Sequence, residues 1–377
     1  MIYFNQAAGS FPKAPGVAAA VAAFLNDGAF NVGRGADEGA GELVYRARLR
    51  LASFFGCAKA KHVIFTPGVT ASLNTLIFGW LKRGDHVITT ALEHNAVLRP
   101  LHAAAAAGVT FSVAPADATG QVDPAQIEAL IRPDSKAVLV STASNVSGTY
   151  LPLAAIASIC RRRGLRLLVD TAQTAGSAPI GLAADGIDAI GFTAHKGLLG
   201  PQGIGGLVLN EPMAAEVRPF MFGGTGSQSH LAAMPARLPD RLEAGTLNLP
   251  GIAGLLAALD YLEATGLVTI AAHERQLTAQ FLAGAAGLPA VRVVGPSAAA
   301  ARTAVVSLDF PGKDNGLIAA ALAERGIVTR SGLHCAPLAH RALGTFPRGT
   351  VRFSFGCFNT AAEVQECLDV LMSILKS

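Results

Sequence analysis

The chain has 377 residues, 51% of them apolar and only 15% charged, which excludes a disordered polypeptide and leaves material for a large core. Its net charge of +4 is spread thinly, and no basic stripe interleaved with aromatics marks a nucleic-acid binder. Five widely spaced cysteines (Cys57, Cys160, Cys335, Cys357 and Cys367) form no CxxC pair, which argues against a zinc ribbon or a disulfide framework and fits a reducing compartment.

The N-terminal "MIYFNQAAGS" lacks a basic region followed by an apolar core, so no signal peptide is read there and a cytoplasmic location is expected. Strand-length apolar runs then alternate with helix-like segments. "HVIFT" (62–66) precedes a helix near 70–82, and "DHVITT" (85–90) precedes another near 95–107. "VTFSVA" (109–114) leads to "DPAQIEALIR", and "KAVLVST" (136–142) leads to "PLAAIASICRRR". The uncharged stretch from Ala137 to Cys160 contains the polar, turn-forming "STASNVSGTYLP", so it is not read as a membrane span. Arg161, Arg162, Arg163 and Arg166 follow an apolar helical run and complement the negative end of a helix dipole. "LRLLVD" (165–170), "IDAIGFT" (187–193) and "GIGGLVLN" complete the series.

This alternation predicts an α/β fold with a mostly parallel sheet covered by helices. After about residue 264 the pattern changes. A helix over 267–286 is followed by "VRVVG", "TAVVSLDF", a helix near 315–325, "GIVTR", "TVRFSF" and a last helix over 361–375. The expectation is a large domain over 11–263 and a smaller C-terminal α+β domain over 264–377, with residues 1–10 packing near the latter.

In parallel sheets the ligand site lies beyond the carboxyl ends of the strands. Thr66, Glu93, Asp170 and Thr193 are therefore expected around one crevice. Lys196 follows a strand end in "TAHKGLLGPQGIG", where a charged amine is costly to bury. Asp170 ends "LRLLVD", Gln173 lies three residues on, and His94 sits in "LEHNA". Gly68, Val69 and Thr70 lie between a strand and a helix, where free backbone N–H groups suit a phosphate. An amine, an anion for a pyridine nitrogen, a phosphate cradle and a flat group over a ring together fit pyridoxal phosphate. Each residue alone has an ordinary structural reading: Asp170 as a cap, His94 as a satisfied histidine, Arg352 as one half of an ion pair, Asn145 as a turn residue, Thr246 as a local cap.

The sequence resembles the class V, fold type I pyridoxal-phosphate enzymes, and within them the cysteine desulfurase and selenocysteine lyase group. The resemblance runs from "YFNQAAGSFP" to the last helix through "NVGRG", "TPGVTASLN", "LEHNA", "SNVSGT", "VDTAQ", "TAHKGLLGPQGIG", "EAGTLN", "RSGLHCAP" and "VRFSF". It implies that Lys196 forms the Schiff base with pyridoxal 5'-phosphate and moves the substrate's Cα proton. Asp170 would pair with the pyridine nitrogen, Gln173 would bond the ring hydroxyl, and His94 would stack on the ring and assist proton transfer. Gly68, Val69, Thr70, Thr193 and His195 would hold the phosphate, with Thr246 reaching it across a homodimer interface and Thr225 as a second candidate. Arg352 would bind the substrate carboxylate, with Asn145 and the Ala7–Ala8 turn nearby. Cys335 would be the nucleophile that takes sulfur from L-cysteine, or selenium from selenocysteine, and passes it to an acceptor protein. A thiolate is the attacking form, and Arg330 and His334 lie close in sequence.

Three features depart from the family pattern: Val69 replaces a hydroxyl residue of the phosphate turn, Leu333 replaces a second histidine before His334, and "FGGTGSQSH" (222–230), which carries Thr225, is glycine-rich. Three alternatives stay open. An aminotransferase or a C–S lyase would use the same lysine without needing Cys335, and a scaffold protein on the same fold would need neither. A dinucleotide loop is rejected because "GRGADEG" (33–39) has GxGxxxG spacing and follows no good strand.

Overall fold

The computed structural model describes residues 1–27 and 38–376. The "NVGRG" motif and most of "GRGADEG" lie outside the described residues. The chain opens with β1 (Ile2–Tyr3), α1 (Val17–Asp27) and α2 (Glu38–Phe54). There follow β2 (Val63–Thr66), α3 (Val69–Trp80), β3 (His86–Thr90), α4 (Asn95–Ala105), β4 (Thr110–Ala114), α5 (Pro124–Ala129), β5 (Ser135–Ser141), α6 (Leu153–Arg163), β6 (Arg166–Asp170), β7 (Ala189–Thr193) and β8 (Gly205–Leu209). These strands form one seven-stranded sheet in the order β2-β8-β7-β6-β5-β3-β4. The run β4, β3, β5, β6, β7 is parallel throughout. β8 runs antiparallel to both its neighbours, a reversal that the apolar run "GIGGLVLN" does not reveal. β3, β7 and β8 are buried along their whole length, as strands covered by helices on both faces must be.

Beyond this sheet come α7 (Glu211–Glu216), α8 (Leu249–Thr265), α9 (Leu267–Ala286), β9 (Arg292–Val294), β10 (Val305–Asp309), α10 (Asn315–Glu324), β11 (Ile327–Val328), β12 (Arg330–Gly332), α11 (Pro337–Ala342), β13 (Thr350–Ser354) and α12 (Ala361–Lys376). β12, β13, β10 and β9 make an antiparallel sheet against which α9 and α12 pack, around Phe281, Phe310, Phe353 and Cys367. β1 pairs in parallel with β11, so the start of the chain joins this second sheet's layer. Ile2 and Phe4 are buried in the same cluster. Among the described residues no single helix is long and apolar enough to cross a membrane.

Five helices lie outside the pattern read from the sequence: α1, α2, α8 and the short α7 and α11. α8 is apolar nearly all round because it packs against both α1 and α2. Gly266, at φ +82°, breaks the chain between α8 and α9. The arginine run ends α6; Arg162 and Arg163 pair with Glu128, and Arg166 pairs with Asp188 and Glu216.

Candidate active site

The carboxyl ends of β5, β6 and β7 open on a cavity of about 230 Å³ at the junction of the two sheets. The structure brings Ala7, Ala8, Val69, Thr70, His94, Asn145, Asp170, Gln173, Thr193, His195, Lys196 and Arg352 to its wall, residues spread over more than 340 positions of sequence. Arg330, His334, Ser141, Ala143 and Ala172 line it as well. Thr66 and Glu93, expected at the crevice, do not line it. The Thr66 hydroxyl donates to the Gly68 carbonyl and bonds Ser72 Oγ. Glu93 is fully buried beneath the wall, where Oε1 accepts from Thr90 Oγ1 and Oε2 from the N–H and hydroxyl of Ser141. Burial pushes its carboxyl up to about 7 against those three hydrogen bonds.

Lys196 lies in the turn after β7. The loop after β6 packs directly on that turn because both carry glycine at the contact: a Cβ on Gly176 would sit 2.0 Å from the Gly197 carbonyl oxygen. The Ser10 N–H donates to the His195 carbonyl at 2.8 Å, and the Lys13 amine reaches the same oxygen at 3.2 Å. The residue before the catalytic candidate is thus pinned by the N-terminal segment. Burial brings the Lys196 amine down to about 8; Asp170 opposes that fall, and Arg352 and Arg330 add to it.

Asp170 ends β6 and is buried. Its Oδ1 accepts from the Ala172 N–H at 2.8 Å, and burial raises its carboxyl while Lys196 lowers it. No hydrogen bond occupies its other oxygen among the described residues. A buried carboxylate in this state is suited to a cationic ring N–H entering the cavity. Gln173 Nε2 donates to the Ala7 carbonyl at 3.3 Å.

Gly68 precedes α3 at φ +156° without a side-chain cap, so the first N–H groups of the helix have no capping partner. A Cβ at Gly68 would approach Thr193 Oγ1 to 3.4 Å. Thr193 Oγ1 is 2.8 Å from His195 Nδ1, and Thr70 is exposed beside them. Burial, with Lys196 second, takes the His195 imidazole down to about 4. These donors form a cradle for a dianionic phosphate, with the backbone serving where Val69 lacks a hydroxyl.

His94 caps α4: Nδ1 accepts from the Ala96 N–H at 2.9 Å, so the neutral ring carries its proton on Nε2. Burial first, then Lys196 and three arginines, depresses it to about 4. Arg352, on β13, is 2% exposed; it donates from Nη1 to the Asn145 carbonyl and from Nη2 to Asn5 Oδ1, and its Nε has no partner. Arg330 on β12 is its cross-strand partner, and both side chains line the cavity with no ion pair to a carboxylate among the described residues. Their mutual repulsion, together with the burial of Arg352, favours an incoming anion. Arg330 entered the sequence reading only as a neighbour of Cys335; the β12–β13 register that places it here is not visible along the chain.

Cys335 is exposed and stands beside the cavity rather than in its wall, close enough to Lys196 and Arg352 to raise both. His334 (φ +48°) and Cys335 (φ +58°) form a left-handed turn that costs on the order of 1–3 kcal/mol per residue. Asn145 Nδ2 donates to the His334 carbonyl, so in this arrangement Asn145 holds the cysteine turn and offers the cavity its unpartnered Oδ1. His334 Nε2 bonds Thr350 Oγ1, and its Nδ1 is buried without a partner. Thr246 and Thr225 do not line the cavity within one chain: Thr246 is exposed, and Thr225 bonds Ser227.

The model of the family described as Aminotransferase class-V matches residues 2–367. The chain belongs to the class-V aminotransferase family. Within that family it is 35% identical over 362 residues to a probable cysteine desulfurase of Pseudomonas putida, covering 93% of this chain and 88% of that one. It spans 54% and 48% of two longer mycobacterial relatives, also named probable cysteine desulfurases. The apo structure of a cysteine desulfurase from Thermococcus onnurineus NA1 superposes with a TM-score of 0.92 at 31% identity, over 100% of this chain and 94% of that one. Another structural neighbour is a lysine-to-alanine variant of C-DES with glycine covalently linked to its PLP cofactor. It superposes with a TM-score of 0.85 at 26% identity, over 98% of this chain and 96% of that one. The fold is that of the fold type I pyridoxal-phosphate enzymes.

Proposed function

We propose that the protein is a pyridoxal-phosphate-dependent cysteine desulfurase, converting L-cysteine to L-alanine with the sulfur held as a persulfide on Cys335. The observation that carries this reading is the convergence of a buried amine, Lys196, with Asp170 and Arg352 in one cavity wall, with the exposed Cys335 beside it.

The residues present fit the cofactor. Asp170 would hold the ring nitrogen, Gln173 the ring hydroxyl, and the α3 N-terminus with Thr70, Thr193 and His195 the phosphate. When bound at Lys196, pyridoxal phosphate supplies the electron sink that stabilises negative charge at the substrate Cα. Arg352 and Arg330 hold the substrate carboxylate. Burial brings the Lys196 amine down to about 8, which raises the share of free base near neutral pH that can take the Cα proton. The Cys335 thiolate attacks the substrate sulfur: the new S–S bond forms as the substrate C–S bond breaks, and the bonding pair stays with the substrate carbon skeleton. Lys196 and His94 return protons to that skeleton, which leaves as alanine. Low dielectric around Asp170 and Arg352 strengthens each of these charge contacts.

The exposed Phe220, Met221, Phe222 and Leu231 lie in the segment that carries Thr225 and Thr246. This apolar surface supports a homodimer in which Thr246 reaches the partner's phosphate site. The exposure of Cys335 supports delivery of the sulfur to an acceptor protein. The wide cysteine spacing supports a cytoplasmic setting.

Substituting Cys335→Ala tests the reading. Mass spectrometry after incubation with cysteine should show no persulfide, while the visible absorption of the lysine-bound cofactor persists. Unchanged turnover of the variant would favour an aminotransferase or a C–S lyase working from the same lysine.

A further inference from the structure

Behind Lys196 lies a second, smaller cavity of about 50 Å³. It shares Ala7, Ala172, Gln173 and Lys196 with the active-site cavity and extends past Ser10, Ser177 and Ser354 to Glu274 on α9. The Glu274 carboxyl has no hydrogen bond or ion pair among the described residues, although protein surrounds it closely enough for burial alone to push it up to about 8. The residue is half-buried and lines the cavity. An unpaired acid in such a place is costly as an anion and holds its proton at neutral pH.

The titratable groups around it leave one exchange partner. His273, beside it on α9, commits Nε2 to the Asn359 carbonyl. Arg275, on its other side, is exposed. Tyr150 and Cys357 face it from neighbouring loops; burial first, and then Glu274, raises both, Cys357 to about 12, so they keep their protons. Lys196, across the cavity, is brought to about the same value as Glu274. Groups matched in this way pass a proton with little uphill cost. The hydroxyls and amides of the wall give water in the cavity the polar partners it needs.

We propose that Glu274 is the proton-exchange partner of Lys196, taking up and returning the lysine's proton through cavity water on the side away from the substrate. The carboxyl O–H passes a proton to water as water passes one to the lysine nitrogen, leaving carboxylate and ammonium; the reverse restores both, and no electrons change hands. The inference rests on Lys196 being the cofactor-bound amine.

The test is a pH titration of the visible absorption of the holoenzyme's lysine–cofactor chromophore. In the wild type the titration of Glu274 across the cavity should appear as a second inflection beside that of the lysine nitrogen. Glu274→Gln should leave one inflection, because the second titrating group facing the lysine nitrogen across the cavity is gone. Glu274→Asp should restore two. Glutamine replaces a carboxyl that already holds its proton, so folding should survive. Were it to fail, the wild-type curve alone decides, since a single wild-type inflection overturns the proposal. Two inflections persisting in a folded Glu274→Gln enzyme overturn it too. A chromophore that persists in Lys196→Ala would instead overturn the reading of Lys196 itself.

Discussion

The carbonyl oxygen of Cys335 accepts a hydrogen bond from the N–H of Asn95 at 2.7 Å, which fastens the sulfur-bearing turn to the first residue of the helix capped by His94. With the bond from Asn145 to the His334 carbonyl, the turn is held at two successive residues. Two adjacent left-handed, non-glycine residues persist there because these ties over-determine them.

Asn145→Ala removes one tie and leaves a buried carbonyl unpaired, which costs about 1–3 kcal/mol. Persulfide formation on Cys335 should slow by about tenfold or more. The visible absorption of the cofactor should hardly change. Mass spectrometry of Cys335 on a quench-time series, read beside the spectrum, checks both.

Arg352→Lys keeps the charge but loses the fork that reaches the Asn145 carbonyl and Asn5 Oδ1 together. Binding of the substrate carboxylate should weaken by about 2–3 kcal/mol, seen chiefly as a raised KM for L-cysteine. A KM equal to wild type would remove Arg352 from substrate binding.

Asp170→Asn keeps the size of the side chain and its bond to Ala172 but removes the anion. Steady-state turnover should fall about a hundredfold or more, in line with the loss of a preorganised charge contact. Borohydride reduction followed by mass analysis should still find the cofactor on Lys196.

Glu93 governs a pH effect on stability. Its carboxyl titrates near 7 in the folded protein and near its ordinary value of 4.5 when unfolded. Between those values the folded state binds the extra proton, so this group's contribution to stability falls as pH rises from about 4.5 to about 7. The pH-dependent part amounts to about 3 kcal/mol. Glu93→Gln should leave stability at pH 5 nearly unchanged, because the amide, like the protonated carboxyl, can accept from Ser141 through its oxygen and donate to Thr90 Oγ1, and should flatten the decline toward pH 7. Urea melts of both proteins across that range measure the difference in slope.

Much of the site was legible along the chain. Lys196, Asp170, His94 and the Gly68–Thr70 turn stand at strand ends or helix starts, and local patterning places such positions at the open end of a parallel sheet. The helix over 267–286 and the α/β alternation follow from the same periodicities. Thr66 and Glu93 satisfied the same strand-end rule, but their side chains turn inward to the hydroxyls and N–H groups beneath the wall. Strand position locates a residue's backbone without deciding which buried partner captures its side chain.

The sequence by itself determined the alternating elements, the family and the chemical types present at the strand ends, because period and residue chemistry are local properties. Only the tertiary structure decided that β8 runs antiparallel, that Arg330 stands beside Arg352, and that Asn145 grips the cysteine turn. It also decided that Glu274 shares a cavity with Lys196. These are contacts between distant segments. They are set by strand register and domain packing, which bring together groups that no local pattern relates.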